Sequence, residues 1–350
     1  MAQRDRVSVG MVGCGFYAQN HLHAWAALKP EGGILSAVCD RDAARAEAAG
    51  KTFGVPWFTD MAQMLDTVKI DLVDIATRMD THRELAAIAA ARGIGAIVQK
   101  PFAPVWEECI AIVETARANN AWLAVHENFR FETSMMRVKA VLDAGSIGTP
   151  NWARITFRTG YDIYRGQPYL AKEERMVILD VGIHVLDLAR FFLGEVDRLS
   201  CETQKRNPAI TGEDTATMML RHTGGAVSVV ESTYASKKIP DAFPETLLEI
   251  EGSEGSIVLT RGEKMSVTTQ GIFFEEHVGS PLLPWTTRPW HVSQEAVLNT
   301  SRHMLQRFIA GLSAETSGED NLKTYALVEA AYKAAATGSV VKPVQWQPRN

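Results

Sequence analysis

The stretch Val7–Asn20 reads V-S-V-G-M-V-G-C-G-F-Y-A-Q-N, a short apolar strand that runs into a glycine-punctuated turn and then a helix. Gly13, Gly15 and Ala18 fall in the G-x-G-x-x-[GA] spacing that seats a dinucleotide. Gly13 permits the tight turn, and the missing side chain at Gly15 lets backbone approach a pyrophosphate. Ala18 is small enough for the helix to lie against the strand. Around these three, Cys14, Phe16 and Tyr17 form the helix entry, whose N–H groups attract phosphate charge. Taken alone, the triplet is also compatible with an ordinary strand-to-helix turn. A second apolar run, Ile34–Cys39, weighs against that, because it ends in Asp40, where a carboxylate would hold ribose hydroxyls. The charge of Asp40 points to NAD. Arg41 beside it is a cation that could pair with a 2′-phosphate, which leaves NADP open.

The composition narrows the class. A chain of 350 residues is too long for one ordinary core and suits two domains. With 46% hydrophobic and 22% charged residues it reads as a globular protein without low-complexity bias. A net charge of −5 offers no broad basic surface for nucleic acid. No apolar run approaches the ~20 residues of a membrane span, and the first strand begins too early for a signal peptide. The four cysteines, Cys14, Cys39, Cys109 and Cys201, show no paired spacing, so they read as reduced and the compartment as the cytoplasm.

From residue 1 to 126 the chain alternates apolar runs with alanine-rich helical patterns, the grammar of a parallel sheet covered on both faces. Ligands of such sheets lie beyond the carboxyl ends of the strands. Those ends carry the Gly13 turn, Asp40, Ala76-Thr77, Gln99-Lys100-Pro101 and His126-Glu127-Asn128. Residues 127–350 read differently, with consecutive strand-turn-strand patterns that imply a mainly antiparallel sheet and a final helix over Leu322–Thr337 that packs back near the first domain. In this half Asp180, His184 and Asp187 recur at i, i+4 and i+7, which places them on one stripe of a helix. On spacing alone the bland reading, a capping aspartate and a satisfied histidine, is the better one. His21-x-His23 points to two sides of a helix and is not a metal pair, so no metal site is expected. Lys237-Lys238 reads as a solvated turn.

Several segments together resemble the Gfo/Idh/MocA oxidoreductases. They are Gly13-x-Gly15-x-x-Ala18, D-I-A-T-R-M-D-T-H (Asp74–His82), Q-K-P (Gln99–Pro101), N-F-R-F (Asn128–Phe131), L-D-V-G-I-H-V-L-D-L (Leu179–Leu188) and L-E-I-E-G-S-E-G-S (Leu248–Ser256). The resemblance covers nearly the whole chain. It implies an α/β protein with an N-terminal Rossmann domain, followed by an α/β domain whose large open sheet supports a homodimer or homotetramer. It also implies that Lys100, Asp180 and His184 are catalytic, Lys100 orienting a hydroxyl, His184 exchanging its proton and Asp180 holding the substrate or the histidine. Thr77, Gln99 and Asn128 would seat the nicotinamide ribose with His82 supporting the same loop, and Lys100–Pro101 would be a cis bond. Two departures stand out: Arg78 replaces a usual proline, and Gln99 a usual glutamate.

The activity that this resemblance implies is that of an NAD-dependent dehydrogenase acting on a sugar hydroxyl. The runs N-H-L-H-A-W, H-E-N-F-R-F and G-Y-D-I-Y-R-G-Q-P-Y-L look most like a branch acting on aldoses, with D-apiose, oxidised at the anomeric carbon, as the candidate. Arg158, Tyr161, Arg165 and Tyr169 are the candidate substrate contacts. The alternatives are a cyclitol or sugar-acid dehydrogenase, an NAD-dependent glycosidase, and a non-catalytic nucleotide-binding regulator.

Overall fold

In a computed structural model describing residues 6–348, the chain divides into two compact units. One runs up to Asn128 and takes in Val297–Leu322 and the chain from Trp346. The other holds Phe129–Ala296 and Lys323–Gln345.

The first unit alternates β1 (Val7–Val12), α1 (Ala18–Ala27), β2 (Gly33–Cys39), α2 (Ala43–Phe53), β3 (Trp57–Phe58), α3 (Met61–Thr67), β4 (Leu72–Ile75), α4 (His82–Ala90), β5 (Gly95–Gln99), α5 (Trp106–Ala118) and β6 (Leu123–His126). The six strands lie parallel in the order β3-β2-β1-β4-β5-β6, with the reversal of order between β1 and β4 that opens a crevice at their carboxyl ends. Strands covered on both faces need apolar residues at every position. β4 and β5 are buried throughout, and each carries one polar residue, Asp74 and Gln99. The far edge, β6, is completed from the distant end of the chain. Val125 donates its N–H to Thr316 O, and the Thr316 hydroxyl donates to Val125 O, both at 2.8 Å.

The second unit contains α6 (Thr133–Asp143), β7 (Pro150–Arg158), the single turn α7 (Ile163–Gly166), α8 (Ile183–Leu193), β8 (Val196–Gln204), β9 (Thr215–His222), β10 (Val227–Thr233), β11 (Leu247–Gly252), β12 (Gly255–Thr260), β13 (Lys264–Thr269) and β14 (Ile272–His277). Its eight strands follow the order β14-β13-β12-β11-β7-β10-β9-β8 and are antiparallel except for β7 with β10. Ala153, Ile155 and Phe157 of β7 face inward, where α8 packs, while Arg154, Thr156 and Arg158 face the other way. Two long helices, α9 (His291–Ile309) and α10 (Gly318–Thr337), are each shared between the units, changing over at Ala296/Val297 and Leu322/Lys323. The fold is the α/β arrangement that the sequence predicts, a parallel Rossmann sheet and a large mainly antiparallel one.

Candidate active site

The nucleotide end is built by backbone sterics. Gly13 has φ +99°, and a Cβ there would sit 2.4 Å from the carbonyl oxygen of Ala76, so only glycine fits. At Gly15 the opposite holds: a Cβ would meet nothing nearer than the Arg45 guanidinium at 4.0 Å, which leaves open ground for a ligand. Gly13 N–H donates to Cys39 O (2.7 Å) and Cys14 N–H to Asp40 Oδ2 (2.8 Å). Asp42 N–H occupies the other Asp40 oxygen at 2.9 Å. The carboxylate is therefore fixed, with a lone pair left on each oxygen. Phe16 is exposed, Ala18 is buried, and α1 opens at Tyr17 with no capping side chain and no acidic residue in its first turn. That helix start suits a pyrophosphate. The Cys14 and Cys39 thiols are pushed up to about 12 by burial and then by neighbouring carboxylates, which makes both unreactive packing groups.

The loops after β4 and β5 are tied together by His82. Its buried ring lies 3.3 Å from Thr77 O through Nε2 and 3.1 Å from Phe102 O through Nδ1. Burial pulls its pKa below the ordinary value, although both carbonyls work the other way. Thr77 pairs hydroxyls with Thr81 at 2.7 Å, and Ala76 N–H returns to Val12 O. Arg78 has φ −74° and ψ 144°, a backbone that a proline could also adopt. The Lys100–Pro101 bond is cis. Gln99, expected to reach a ribose, is nearly buried with its amide engaged inside the unit at both ends, by His21 (2.8 Å) and Lys100 N–H (2.7 Å). Beyond β6, Asn128 is 1% exposed and its Nδ2 has no hydrogen-bond partner. A buried donor left over at that strand end is what a bound ribose or carboxamide would satisfy. Gly15, Asp40, the α1 start and Asn128 thus fit NAD.

In the second unit, Asp180 and His184 do not share a regular helix face. Residues Ile178–Gly182 form a π-helical turn that runs into α8, so the i, i+4 relation predicted from spacing is broken by the wider turn. Glu213 holds this turn by accepting Ile178 N–H at 3.1 Å and the Tyr332 hydroxyl at 2.7 Å. Asp180 accepts the Tyr234 hydroxyl at 2.8 Å. His184 stacks flat on Phe129, ring centres 3.8 Å apart and planes 1° from parallel, which fixes the ring by one face. Asp187, the third member of the predicted stripe, is a structural anchor instead. It receives Arg130 Nε at 2.8 Å and the Thr324 hydroxyl at 2.7 Å, while Arg190 beside it bridges to Glu195.

Of the four candidate substrate contacts, Tyr169 lies near Tyr234, the hydrogen-bond partner of Asp180, and adds to the upward push on that phenol. Alternation along β7 turns Arg158 away from Phe157, which lies in the Phe129–His184–Tyr234 cluster, and it pairs with Glu231 at 3.4 Å on the opposite sheet face. Tyr161 stacks on Phe243 at 4.0 Å and meets Trp290 edge-on, a packing role. Arg165 is exposed on α7, and Tyr169 donates to Gln167 at 2.7 Å. Three further residues lie outside the named candidate contacts, although Tyr164 stands among the loop aromatics that suit a polyhydroxylated ring. Arg45 approaches the Gly15 turn, Tyr234 orients Asp180, and Tyr164 has a buried hydroxyl with no hydrogen-bond partner. Only Tyr164 has a signal in the sequence, lying inside the aromatic run that supplies the candidate substrate contacts.

Residues 7–127 match the Gfo/Idh/MocA model described as an oxidoreductase family with an NAD-binding Rossmann fold, and residues 135–258 match the C-terminal domain model of the same family. A D-apiose dehydrogenase of Rhizobium rhizogenes is 46% identical over 95% of this chain and 96% of its own length. A D-apiose dehydrogenase of Paraburkholderia graminis is 42% identical over 96% and 90%. The chain belongs to the Gfo/Idh/MocA oxidoreductase family. An inositol 2-dehydrogenase of Saccharopolyspora erythraea is 28% identical over 98% of this chain and 97% of its own. Among solved structures, an oxidoreductase from Agrobacterium radiobacter in complex with NAD+, L-tartaric acid and magnesium superposes with a TM-score of 0.94, at 45% identity over 96% of this chain and 98% of its own. Within this family the chain is an oxidoreductase whose first unit is the NAD-binding fold.

Proposed function

We propose that the protein is an NAD-dependent dehydrogenase that oxidises D-apiose at the anomeric carbon. The observation that carries this reading is the 46% and 42% identity, over nine-tenths or more of each chain, to two D-apiose dehydrogenases, against 28% to the inositol enzyme. NAD, when bound, supplies the acceptor for the hydride that leaves the sugar carbon. The chain's own residues do the rest. The Lys100 ammonium stabilises negative charge developing on the reacting hydroxyl oxygen. The His184 imidazole, fixed by its stack on Phe129, takes the hydroxyl proton. Asp180, oriented by Tyr234, holds a sugar hydroxyl or the histidine. Asp40, anchored on both oxygens, accepts the adenosine ribose hydroxyls and sets its charge against a 2′-phosphate.

The test is NADH absorbance with D-apiose, other aldoses, inositols and sugar acids, each with NAD and with NADP. D-apiose with NAD should show the highest kcat/KM. A higher value with an inositol, a sugar acid or NADP overturns that part of the reading. Steady NADH formation excludes a glycosidase that restores its cofactor each cycle, and absence of turnover on every sugar favours a regulator.

The assembly proposed is a homodimer or homotetramer built on the second unit's sheet. Its outward face mixes Met219 (56% exposed) and Val229 with Arg154, Arg158 and Glu231, and a cavity of about 240 Å³ lies over β7, β11 and β12. A two-layer unit with one uncovered sheet face is commonly completed by a second copy. Light scattering at micromolar concentration should give a multiple of the chain mass; a monomer overturns the assembly.

A further inference from the structure

The strongest unexplained feature is a buried polar chain beneath Lys100. Asp74 is 0% exposed in β4, and its Oδ2 accepts Trp25 Nε1–H at 2.7 Å and faces His21 Nδ1 at 2.8 Å. His21 is also 0% exposed, and its Nε2 lies 2.8 Å from Gln99 Nε2. Gln99 Oε1 accepts the main-chain N–H of Lys100 at 2.7 Å. None of these contacts belongs to the expected catalytic or ribose-binding roles. A carboxylate in a strand covered on both faces is costly unless fully answered, so its retention there calls for a role.

The direction of the chain follows from one group that cannot reverse. A peptide N–H is only a donor, so the Gln99 atom facing Lys100 must be the oxygen. The amide NH2 therefore faces His21 and donates to Nε2. Nε2 then carries no proton, the single ring proton sits on Nδ1, and it is donated to Asp74. The ring is held in one tautomer, and the buried His126 ring at the end of β6 packs against it, centres 4.2 Å apart. Glutamate at 99 would break this logic. When ionised, its second oxygen would face His21 Nε2 as an acceptor, which calls for a proton there and places an imidazolium between two carboxylates.

We infer that Trp25, Asp74, His21 and Gln99 form a positioning relay that holds the peptide of Lys100, and that glutamine at 99 keeps the relay uncharged at His21. The inference rests on Lys100 being the residue that meets the reacting hydroxyl. Gln99 and His21 act through Lys100 and touch no reacting atom.

Long-range 1H–15N correlation on the full chain with 15N-histidine reads the charge state of each ring without turnover. The wild-type His21 ring, assigned by the loss of its signals in His21→Gln, should show the Nδ1–H tautomer at pH 7.5. Gln99→Glu, nearly isosteric, should bring a proton to Nε2 of that ring at the same pH. Gln99→Met should lower kcat on the order of tenfold or more with KM for the sugar little changed, as small misplacements of a catalytic group do. A Gln99→Glu spectrum in which Nε2 of His21 gains no proton overturns the relay, as does full kcat in Gln99→Met. Should Lys100→Met keep full turnover while the NMR result is as expected, the relay stands as a structural device and only the reading of Lys100 fails.

Discussion

Lys100→Met is expected to lower kcat by about a hundredfold or more, which is about 2.7 kcal/mol of transition-state stabilisation. The methionine keeps the length of the side chain and removes its charge. Lys100 follows the last residue of a fully buried strand and is itself half-buried, with its N–H held by Gln99. A cation there interacts more strongly with an alkoxide-like oxygen than with a neutral alcohol, so the loss falls on kcat and not on ground-state binding. NAD affinity, read by fluorescence titration, should change little. His184→Ala should act alike and flatten the pH–rate profile. Near-normal turnover of Lys100→Met with NAD bound would falsify the mechanism.

The second large effect is on stability. Asp187→Asn should cost about 3–5 kcal/mol, the usual penalty for removing one partner of a buried ion pair. Arg130 and Asp187 are 7% and 1% exposed at their side chains, and Arg190 stands 3.7 Å from the same carboxylate. Burial alone would raise the Asp187 carboxyl, but Arg130, Arg190 and the Thr324 hydroxyl hold it below its ordinary value. Glu195 is lowered from 4.5 to about 2, against its own burial, by Arg190 and Lys323. Both carboxyls are depressed in the folded state, so their contribution is full above the ordinary carboxylate range and is lost as pH falls through it, for Glu195 from about 4.5 towards about 2. Urea titrations should show Asp187→Asn losing most at neutral pH and having a shallower acid limb. Arg130→Met/Asp187→Leu should lose less than the single variant, since no charge is then left unanswered. A single-variant loss below about 1 kcal/mol, the range of an exposed pair, rules out the network as an anchor. The same variant should also slow turnover, because Arg130 follows Phe129 and Asp187 lies one turn from His184. The ion pair therefore clamps both partners of the stack.

What the sequence makes legible, and what it hides, has a common cause. β1 and β4 are legible as strands because their runs are buried along all or nearly all of their length. β3 is too short for any period. β14 is exposed along nearly its whole length and so has no buried face to alternate. α9 buries Glu295, Thr300 and Ser301 where an apolar stripe would be sought. At the site, the strand ends carrying Gly13, Asp40, Thr77 and Lys100 follow from the alternating grammar. The π turn at Asp180 does not, since an inserted residue leaves no mark on spacing. The relay is hidden by distance, its members lying 49 to 78 positions apart in sequence. One signal is present: an aspartate within L-V-D-I, a strand with no exposed position, has to find buried partners.

The borrowed edge of the first sheet has a consequence for biosynthesis. When a ribosome has released residues 1–128, all six parallel strands exist, yet β6 still lacks Thr316 and the bridge from Ala124 to Ser317. Trp122 likewise waits for Phe308 and for the carbonyl of Leu312. Until the last tenth of the chain emerges, the nascent nucleotide fold carries an open strand edge beside bare aromatic surface, the combination that invites wrong pairing.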